Sequence, residues 1–535
     1  MITSYFKHSP KGGAGRGLTL LFILPFLAST FTAQAQNSYM NERLINNSSD
    51  VIGTARYVGM GGAMGALGAD MSVISWNPAG IGLFRKNDIA LTFGGLWGKS
   101  KISEENRGKG TVDQAGFVYN MKIDSKTCPY VNFSFNYQKK INFNHNFYAD
   151  NPNLGGLSQM DIWAQLTEFY DAQADPFNPV ELALANNSTN IFFNTDANQN
   201  LFNPYRSYSN LYTHHSEGSL QGFDFNLSTN INNRAFLGLT VGVDNMRYRG
   251  WNDYFEIGDG NFGLYNYDIY VSGTGVNVKL GTIIRPIESS SFRFGFTIET
   301  PTWYRLRNSS LFYFYDDAGM RTNDGLSDLK FNVRSPWKVR TSIGSTVGST
   351  FAWDIDYEYA AYGCTSMGYP TDEFVDGSTS GNYNDVTMNQ LTRNNLRGAH
   401  TLRAGIEVNA TKNLAFRLGY NLSTSAYKKN ISYDQYYLSG YAMDYSTSTS
   451  YMRMRNTNIL TLGMGYRTKN FYVDLAYKIR NQKADFYAFD TGFANSLTGD
   501  PVFLSNNTTL INRTIAPVGV DLTRQTLTCT LGFKF

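Results

Sequence analysis

The residues that most often perform catalysis or bind metals are few in this chain. One of its five histidines is His8, and the other four are His145, His214, His215 and His400. Neither a GxSxG nucleophile elbow nor an HExxH zinc motif occurs. Adjacent residues such as His214 and His215 cannot both face one metal from a helix, and we interpret them as a solvated pair in a long loop. The sequence therefore predicts no catalytic site, no metal site, no enzyme activity and no cofactor.

The three cysteines, Cys128, Cys364 and Cys529, lie far apart in the sequence. An odd, widely spaced set gives neither a disulfide framework nor the ligand spacing of a zinc site. We interpret all three as incidental.

Four basic residues could hold an anionic group, and each lies on the polar side of a segment in which polar and apolar residues alternate. They are Arg403, Arg417, Lys478 and Arg480. They could bind the carboxylate head group of a ligand. They could equally form ion pairs with acidic residues at similar positions of other segments, namely Asp354, Asp356, Glu358 and Asp474. The sequence leaves both roles open.

The composition indicates what kind of scaffold positions these side chains. Charged residues make up 17% and aromatic residues 15% of the 535 residues, while the mean hydropathy is −0.33. Few charges, many aromatics and a moderate hydropathy are typical of a membrane β-barrel, in which only every second residue faces lipid. A net charge of +3 does not indicate a nucleic-acid partner.

The first 35 residues have the organisation of a cleavable export signal. A basic start is followed by the apolar run Leu18 to Phe31, which is too short to span a bilayer. Ala33-Gln34-Ala35 fits the small-x-small cleavage pattern. Beyond this signal no apolar run of about 18 residues occurs, so the mature chain is expected to cross a membrane only with strands.

Period-two alternation indicates these strands. Phe351, Trp353 and Ile355, for example, alternate with Asp354 and Asp356. Such a strand fits a barrel wall with lipid outside and polar side chains inside. We predict an antiparallel barrel of about fourteen strands, at 88–99, 111–121, 130–143, 219–230, 235–249, 268–284, 291–315, 328–348, 351–361, 399–410, 413–424, 455–467, 470–481 and 522–535.

The lengths of the connections test this count independently. Connections after the even-numbered strands are short, as at Thr411–Lys412, whereas those after the odd-numbered strands are longer. The longest are predicted at 144–218, 362–396, 425–454 and 482–521. This alternation matches short periplasmic turns and long external loops. The first long loop contains a helix candidate from Leu157 to Tyr170, which could pack on neighbouring loops or offer an external landing surface to a hydrophobic ligand.

The segment between the export signal and the first strand has no strand alternation. It is rich in glycine and alanine, Asp70 can cap a short helix, and Pro78 forces a kink after an extended Asn77. We predict that residues 36–87 form a plug inside the barrel of residues 88–535. If the plug moves when ligand binds, its gating residues are expected to be Gly61, Gly62, Asn77, Pro78 and Ala79; static packing is the alternative.

The plug sequence resembles the FadL/TodX family of outer-membrane transporters. The resemblance rests on Ala55, Met60-Gly61-Gly62-Ala63, Ala66-Leu67-Gly68, Asp70, Ser72 and Trp76-Asn77-Pro78-Ala79-Gly80, with further pieces at Pro301-Thr302-Trp303 and Pro336-Trp337. It implies a fourteen-stranded barrel closed by an N-terminal hatch, which carries long-chain fatty acids or aromatic hydrocarbons. In this family the ligand leaves sideways beside a kinked third strand. The third strand here has no glycine or proline to mark such a kink.

These observations lead us to expect passive, ligand-gated uptake of hydrophobic small molecules, such as long-chain fatty acids, across a bacterial outer membrane. The expected partners are the ligand, outer-membrane lipid and lipopolysaccharide, and the barrel-assembly machinery, which would read the final strand ending in Phe535. The chain is expected to act as a monomer and to bind no nucleic acid. Alternatives are a surface adhesin, a structural porin with long external loops or, least favoured, a barrel-embedded hydrolase.

Overall fold

The structure is a computed structural model that describes residues 50–98, 109–156, 194–195, 201–202, 207–258, 264–315, 321–322, 327–370, 382–429, 450–488 and 515–535. The predicted export signal, the start of the predicted plug (36–49) and the helix candidate at 157–170 lie outside these residues. Those three predictions are therefore untested.

The described residues form fourteen long antiparallel strands, numbered here in chain order. They are β1 Asp88–Gly98, β2 Lys109–Lys122, β3 Tyr130–Asn142 with His145–Tyr148, β4 Ser207–Ile231, β5 Ala235–Gly258, β6 Leu264–Ile284, β7 Arg293–Glu299 with Trp303–Tyr315, β8 Ser327–Arg334 with Lys338–Val347, β9 Phe351–Ala361 with Ser366–Pro370, β10 Gly398–Asn409, β11 Leu414–Ser423, β12 Tyr451–Arg467, β13 Phe471–Tyr487, and β14 Val518–Asp521 with Arg524–Lys534.

Each strand pairs with its neighbours in sequence, and β14 returns to β1. That last ladder runs from Asp88↔Lys534 to Gly98↔Arg524 and closes the barrel. The predicted fold class is confirmed, because each predicted segment overlaps one of these strands. Short pieces follow β9, namely the strand Asn382–Asn384, which pairs with its second segment, and helix α2, Val386–Asn395.

Several strands run further towards the long-loop end of the barrel than predicted. β4 begins at Ser207 rather than at 219, so His214 and His215 lie in a strand and not in a solvated loop. His214 is buried and hydrogen bonded to Asn252, whereas His215 stacks on Trp251 with ring centroids 5.2 Å apart. The alternation predicted from sequence fades here because a strand that rises beyond the lipid carries polar residues on both faces.

Two neighbouring strands are interrupted at the same height by proline. Pro301 separates the two segments of β7, and Pro336 separates those of β8. Proline cannot donate to a strand ladder, so pairing lapses there. On β7, Phe296 faces outward below the break and Trp303 above it. The outward-facing residues therefore have even numbers below the break and odd numbers above it. We predicted one continuous strand at 291–315, in which the outward-facing residues would keep the same parity throughout.

The two faces of the wall differ as a lipid-embedded barrel requires. Exposed residues on the outside are large and apolar, among them Leu237, Leu280, Phe416, Leu462 and Leu531. Cys529 lies on this same outer face, two residues before Leu531. In the part of the chain that the structure describes, no helix is long and apolar enough to cross a bilayer.

Residues 50–87 lie against the inward-facing side chains of the barrel, and we call this segment the plug. It contains helix α1, Ala55–Gly59, and two 3-10 helices, Met71–Ser75 and Pro78–Leu83. Asp70 caps the first 3-10 helix by accepting the N–H of Ser72, as predicted. Asn77 is extended before Pro78, also as predicted.

Candidate functional site

Two acidic residues of the wall bind four consecutive backbone amides of the plug. Asp356 accepts the N–H groups of Met64 and Gly65 at 3.1–3.2 Å, and Asp354 accepts those of Ala66 and Leu67 at 3.0 and 2.7 Å. Both side chains are fully buried, so an amide left without an acceptor here would be costly. This contact fixes the glycine-rich turn of the plug to β9.

Glycine allows the plug and the wall to approach at backbone distance. A Cβ at Gly419 of β11 would lie 2.0 Å from the backbone nitrogen of Gly61. Gly61 and Gly62 both have positive φ, at 65° and 78°, a conformation that side chains other than glycine rarely adopt. The first two predicted gating residues are therefore tightly packed in this structure.

The other three predicted gating residues form a second contact with the wall. Asn77 donates from Nδ2 to the carbonyls of Gly65 and Thr282, and its Oδ1 accepts the N–H of Ala79. Pro78 packs where a Cβ at Gly238 would lie 2.3 Å from its carbonyl carbon. The predicted gating set thus belongs to two contacts joined by the hydrogen bond from Asn77 to Gly65; whether these residues move stays a prediction.

The predicted head-group residues have different surroundings. Arg417 forms buried ion pairs with Glu407 and Asp474, both at 2.6 Å, and Glu407 also binds Arg56 of the plug at 2.9 Å. Asp474 is one of the acidic partners that the sequence suggested for such pairs. Arg417 therefore belongs to the network that holds the plug.

Lys478 also holds the plug, through an ion pair with Asp50 at 2.6 Å and a hydrogen bond to the carbonyl of Val51. Burial alone would raise the pKa of the Asp50 carboxyl. The charges of Lys478 and Arg480 outweigh that effect and hold the pKa below its ordinary value. Arg480 is 1% exposed and interacts electrostatically with Asp50.

Arg403 differs from the other three because it borders a cavity. This cavity, about 150 Å³ in volume, lies between the plug and the wall. Its cationic lining consists of Lys140, Lys279, Lys338, Arg340 and Arg403. Among the described residues, each of these cations except Arg403 forms an ion pair with a carboxylate.

The indole of Trp76 lies between two of these arginines. The guanidinium carbon of Arg403 is 3.5 Å from the Trp76 ring centroid, and that of Arg340 is 4.4 Å away. Arg403 donates to the hydroxyl of Tyr57 at 2.7 Å and to the carbonyl of Gly62. Within the described residues, Nε1 of Trp76 and Nε of Arg403 are buried N–H donors without a hydrogen-bond acceptor. Both residues line the cavity, although these two nitrogen atoms are themselves buried.

Apolar side chains fill the barrel interior beyond this cavity, towards the long-loop end. Ile141, Leu220, Tyr304 and Tyr362 line the cavity and also belong to a large buried apolar cluster. Other members of the cluster are Phe143, Phe147, Leu154, Tyr212, Met246, Tyr248, Tyr254, Leu306, Phe331, Val333, Met367, Tyr369, Met452, Met454 and Phe486. An amphipathic molecule would thus meet apolar residues on one side of the cavity and charged residues on the other.

The wall has a discontinuity beside the same cavity. The β2–β3 ladder runs from Lys122↔Tyr130 to Gln114↔Gln138 and ends there. Beyond that point β2 stays paired with β1, and β3 stays paired with β4. We call the unpaired stretch, between 109–113 of β2 and 139–142 of β3, the slit. Among the residues that the structure describes, one ion pair crosses it, between Lys139 and Asp113 at 3.6 Å.

A bulge at Lys140 accompanies the separation of β3 from β2. Lys139 pairs with Gln221 and Ile141 with Leu220, so Lys140 is an extra residue. Its ammonium group forms ion pairs inside the barrel with Asp224 at 3.4 Å and Asp244 at 2.7 Å. Neither glycine nor proline marks this position, because any residue in the right-handed helical region can form such a bulge.

The plug contacts the edge of the slit directly. The hydroxyl of Ser75 lies 2.8 Å from Oε1 of Gln138, and Nε2 of Gln138 donates to the carbonyl of Ile52. Gln138 is the last residue of β3 that pairs with β2, and it also lines the cavity. A displacement of the plug would therefore change contacts at both the cavity and the slit.

No protein-family model matches the sequence, and neither does any curated protein. Solved structures do match. A Pseudomonas aeruginosa FadL homologue aligns over 91% of this chain and 100% of its own, with 11% identity and a TM-score of 0.50. Also similar are the Ralstonia pickettii toluene transporter TbuX (11% identity, 91% and 99% of the chains, TM-score 0.45) and the CymD monoaromatic hydrocarbon channel (10% identity, 90% and 97%, TM-score 0.47).

The likeness to the FadL homologue establishes the fold at this level of identity. The resemblance to this family that the sequence predicted is therefore confirmed for the fold. The shared fold extends over 91% of this chain.

Proposed function

We propose that this chain, which has the fold of the FadL-type barrels, carries hydrophobic small molecules with a polar head group across a bacterial outer membrane. The single observation that carries the proposal is the position of one cavity. It borders the plug, the buried apolar cluster and the slit at the same time. In this account the ligand enters from the long-loop, external end and leaves sideways through the slit into the membrane.

The physical advantage of this path is that it shields an apolar solute from polar surroundings. Aromatic and aliphatic side chains of the cluster would replace water around the hydrophobic part of the ligand. The sideways exit would then deliver it to lipid, where its apolar surface is stable. In this account the plug obstructs a straight path to the short-turn end.

The substrate class follows from the charged side of the cavity. Long-chain fatty acids fit, because a carboxylate can accept hydrogen bonds from Arg403 and Trp76 while the chain extends into the apolar cluster. Arg403 is the predicted head-group residue best placed for this role. Arg417 and Lys478 would act through the plug instead.

Ligand-gated opening is part of the proposal. Ligand in the cavity would compete for Trp76 and Arg403, which contact Arg340, Tyr57 and Gly62. Shifting Trp76 would pull on the neighbouring Asn77 and Pro78, and hence on the contacts that hold the plug.

The proposal is tested by uptake of labelled oleate and labelled toluene in cells that lack their own fatty-acid porin. We expect the chain to increase uptake of oleate and the Pro78→Ala variant to change its rate. Absence of chain-dependent oleate uptake by a correctly assembled barrel would overturn the fatty-acid assignment. Steady conductance of the purified protein in planar bilayers would instead favour an open porin.

A further inference from the structure

The outer face of β5, β7 and β8 carries a band of basic residues near the long-loop end of the wall, and we call it the basic belt. All of its members are exposed on the outside of the barrel. They are Arg247 and Arg249 of β5, Arg305 and Arg307 of β7, and Lys330 and Arg334 of β8.

The strand register brings these residues close together. Arg247 pairs with Ser272, Ser272 with Arg307, and Arg307 with Lys330, which places three cations in one row across four strands. Neighbouring strands lie about 4.8 Å apart, so this row spans roughly 15 Å. Arg305 lies one outward position away from the row, and Arg334 lies opposite Trp303. The belt is therefore compact.

The height of the belt corresponds to the edge of a bilayer. Arg247 lies about 12 residues along β5 from Ala235, which at ~3.3 Å per residue and a tilt of ~45° is roughly 28 Å. The apolar band of such a barrel is about 25 Å tall. Two exposed tryptophans lie at the lower edge of the belt, Trp303 opposite Arg334 and Trp337 three residues further along β8. Tryptophan is enriched at membrane–water interfaces. The belt is thus at the level of the lipid head groups.

Part of this charge has partners, because Arg307 and Lys330 form interactions of their own and acidic residues lie on the same face. Arg249 forms an ion pair with Asp268 at 3.3 Å, and Glu217 lies opposite Arg249 in the ladder. Among the described residues, no hydrogen bond or ion pair is made by the side chains of Arg247, Arg305 and Arg334. By contrast, the arginines Arg453 and Arg455 of β12 share Asp485.

We propose that the basic belt binds the phosphate groups of a phosphorylated lipid in the outer leaflet, with lipid A of lipopolysaccharide as the occupant. Arginine suits this role because its planar guanidinium matches two phosphate oxygens at once. The apolar band begins at the lower edge of the belt, at Val241 and at Val276 beside Trp303, where the acyl chains of the same lipid would pack. A soluble phosphate would gain only the head-group contacts.

This proposal goes beyond the transport function. It requires the barrel to lie in the outer membrane with its long loops outside, but it requires no transported ligand. Failure of oleate uptake would therefore leave it intact, and failure of lipid binding would leave the transport proposal intact.

The experiment measures binding of defined lipids to the full-length purified protein in detergent. The variant R247Q/R305Q/R334Q removes the three belt arginines that have no partner. The control K122Q/K412Q/K469Q removes three exposed lysines at the short-turn end, so its change in charge is the same. The single variant R305Q is measured as well, in case the triple variant does not assemble. The probes are bisphosphorylated lipid A, the same lipid without phosphates, and inorganic phosphate.

We expect the native protein and the control to bind bisphosphorylated lipid A equally. The triple variant should bind it about tenfold more weakly or worse, and R305Q should be intermediate. Lipid without phosphates should bind weakly to every variant, and inorganic phosphate should not compete at millimolar concentration. The proposal would be overturned if lipid A bound equally to the native protein and both belt variants. It would also be overturned if the native protein bound lipid A equally well with and without its phosphates. Competition by inorganic phosphate would overturn the assignment to a lipid.

Discussion

The backbone N–H of Leu67 donates to the carboxylate of Asp354 at 2.7 Å, which ties the plug to the middle of β9. Asp356, two residues further along the strand, faces the same side and binds the preceding turn of the plug. An anion-binding turn of the plug is thus occupied by side chains of the wall. This contact would have to break, or move as a unit, for the plug to leave the lumen.

Replacing both aspartates by alanine should loosen the plug without unfolding the barrel. Each buried amide left without an acceptor costs about 1–3 kcal/mol, while the strand ladders of β9 keep their bonds. We expect limited proteolysis in detergent to cut D354A/D356A within the plug sooner than the native protein. The exposed variant D124N is the control. Unchanged cleavage would mean that the other plug contacts suffice.

A methyl group at Gly419 should displace the plug in a different way. The added Cβ would overlap the backbone of Gly61 and Met60, at 2.0 and 2.3 Å, and backbone cannot move aside by changing rotamer. Overpacking of this kind typically costs about 1–3 kcal/mol. We expect G419A to show frequent channel openings in planar bilayers, where the native protein is nearly silent. G519A, with no atom within 4 Å of its new Cβ, should stay silent.

Arg403 should distinguish ligands by their head groups. Removing its charge in R403Q should reduce oleate uptake about tenfold, in line with the loss of one charge-assisted hydrogen bond, and should leave toluene uptake nearly unchanged. K412Q, an exposed variant at a short turn, serves as the control for loss of one positive charge. If oleate and toluene uptake fall together, Arg403 acts by holding the plug rather than by binding a carboxylate.

The number and order of the strands could be read from the sequence because each wall strand needs one lipid-facing side. In β11, for example, the apolar residues Phe416 and Leu418 face outward and Arg417 between them faces inward. The glycines before β1 were also informative, since Gly59 and Gly61 lie at backbone distance from the wall. These features depend on local periodicity and composition.

The position of the slit could not be predicted, because it depends on which residues meet across strands. In the sequence, nothing distinguishes Lys140 from other strand residues. Only the structure shows that its ammonium group lies beside Asp224 and Asp244. The roles of the four predicted head-group cations likewise depend on their neighbours. Arg417 and Lys478 bind acidic residues that are distant in sequence, whereas Arg403 meets the ring of Trp76.

The measurement that tests the central claim most directly is oleate uptake with the slit closed by a reversible tether. In a background without native cysteines (C128S/C364S/C529S), D113C and K139C would be joined by a bifunctional reagent that forms disulfides. The native side chains at these positions are 3.6 Å apart. The control tether, F117C/F135C, joins residues that already face each other in the β2–β3 ladder.

We predict that the slit tether lowers oleate uptake to background, that a reductant restores it, and that the control tether has no effect. The physical reason is that the slit tether alone closes the path from the cavity to the lipid. Oleate uptake that continues at the untethered rate with the slit tether in place would contradict the sideways exit.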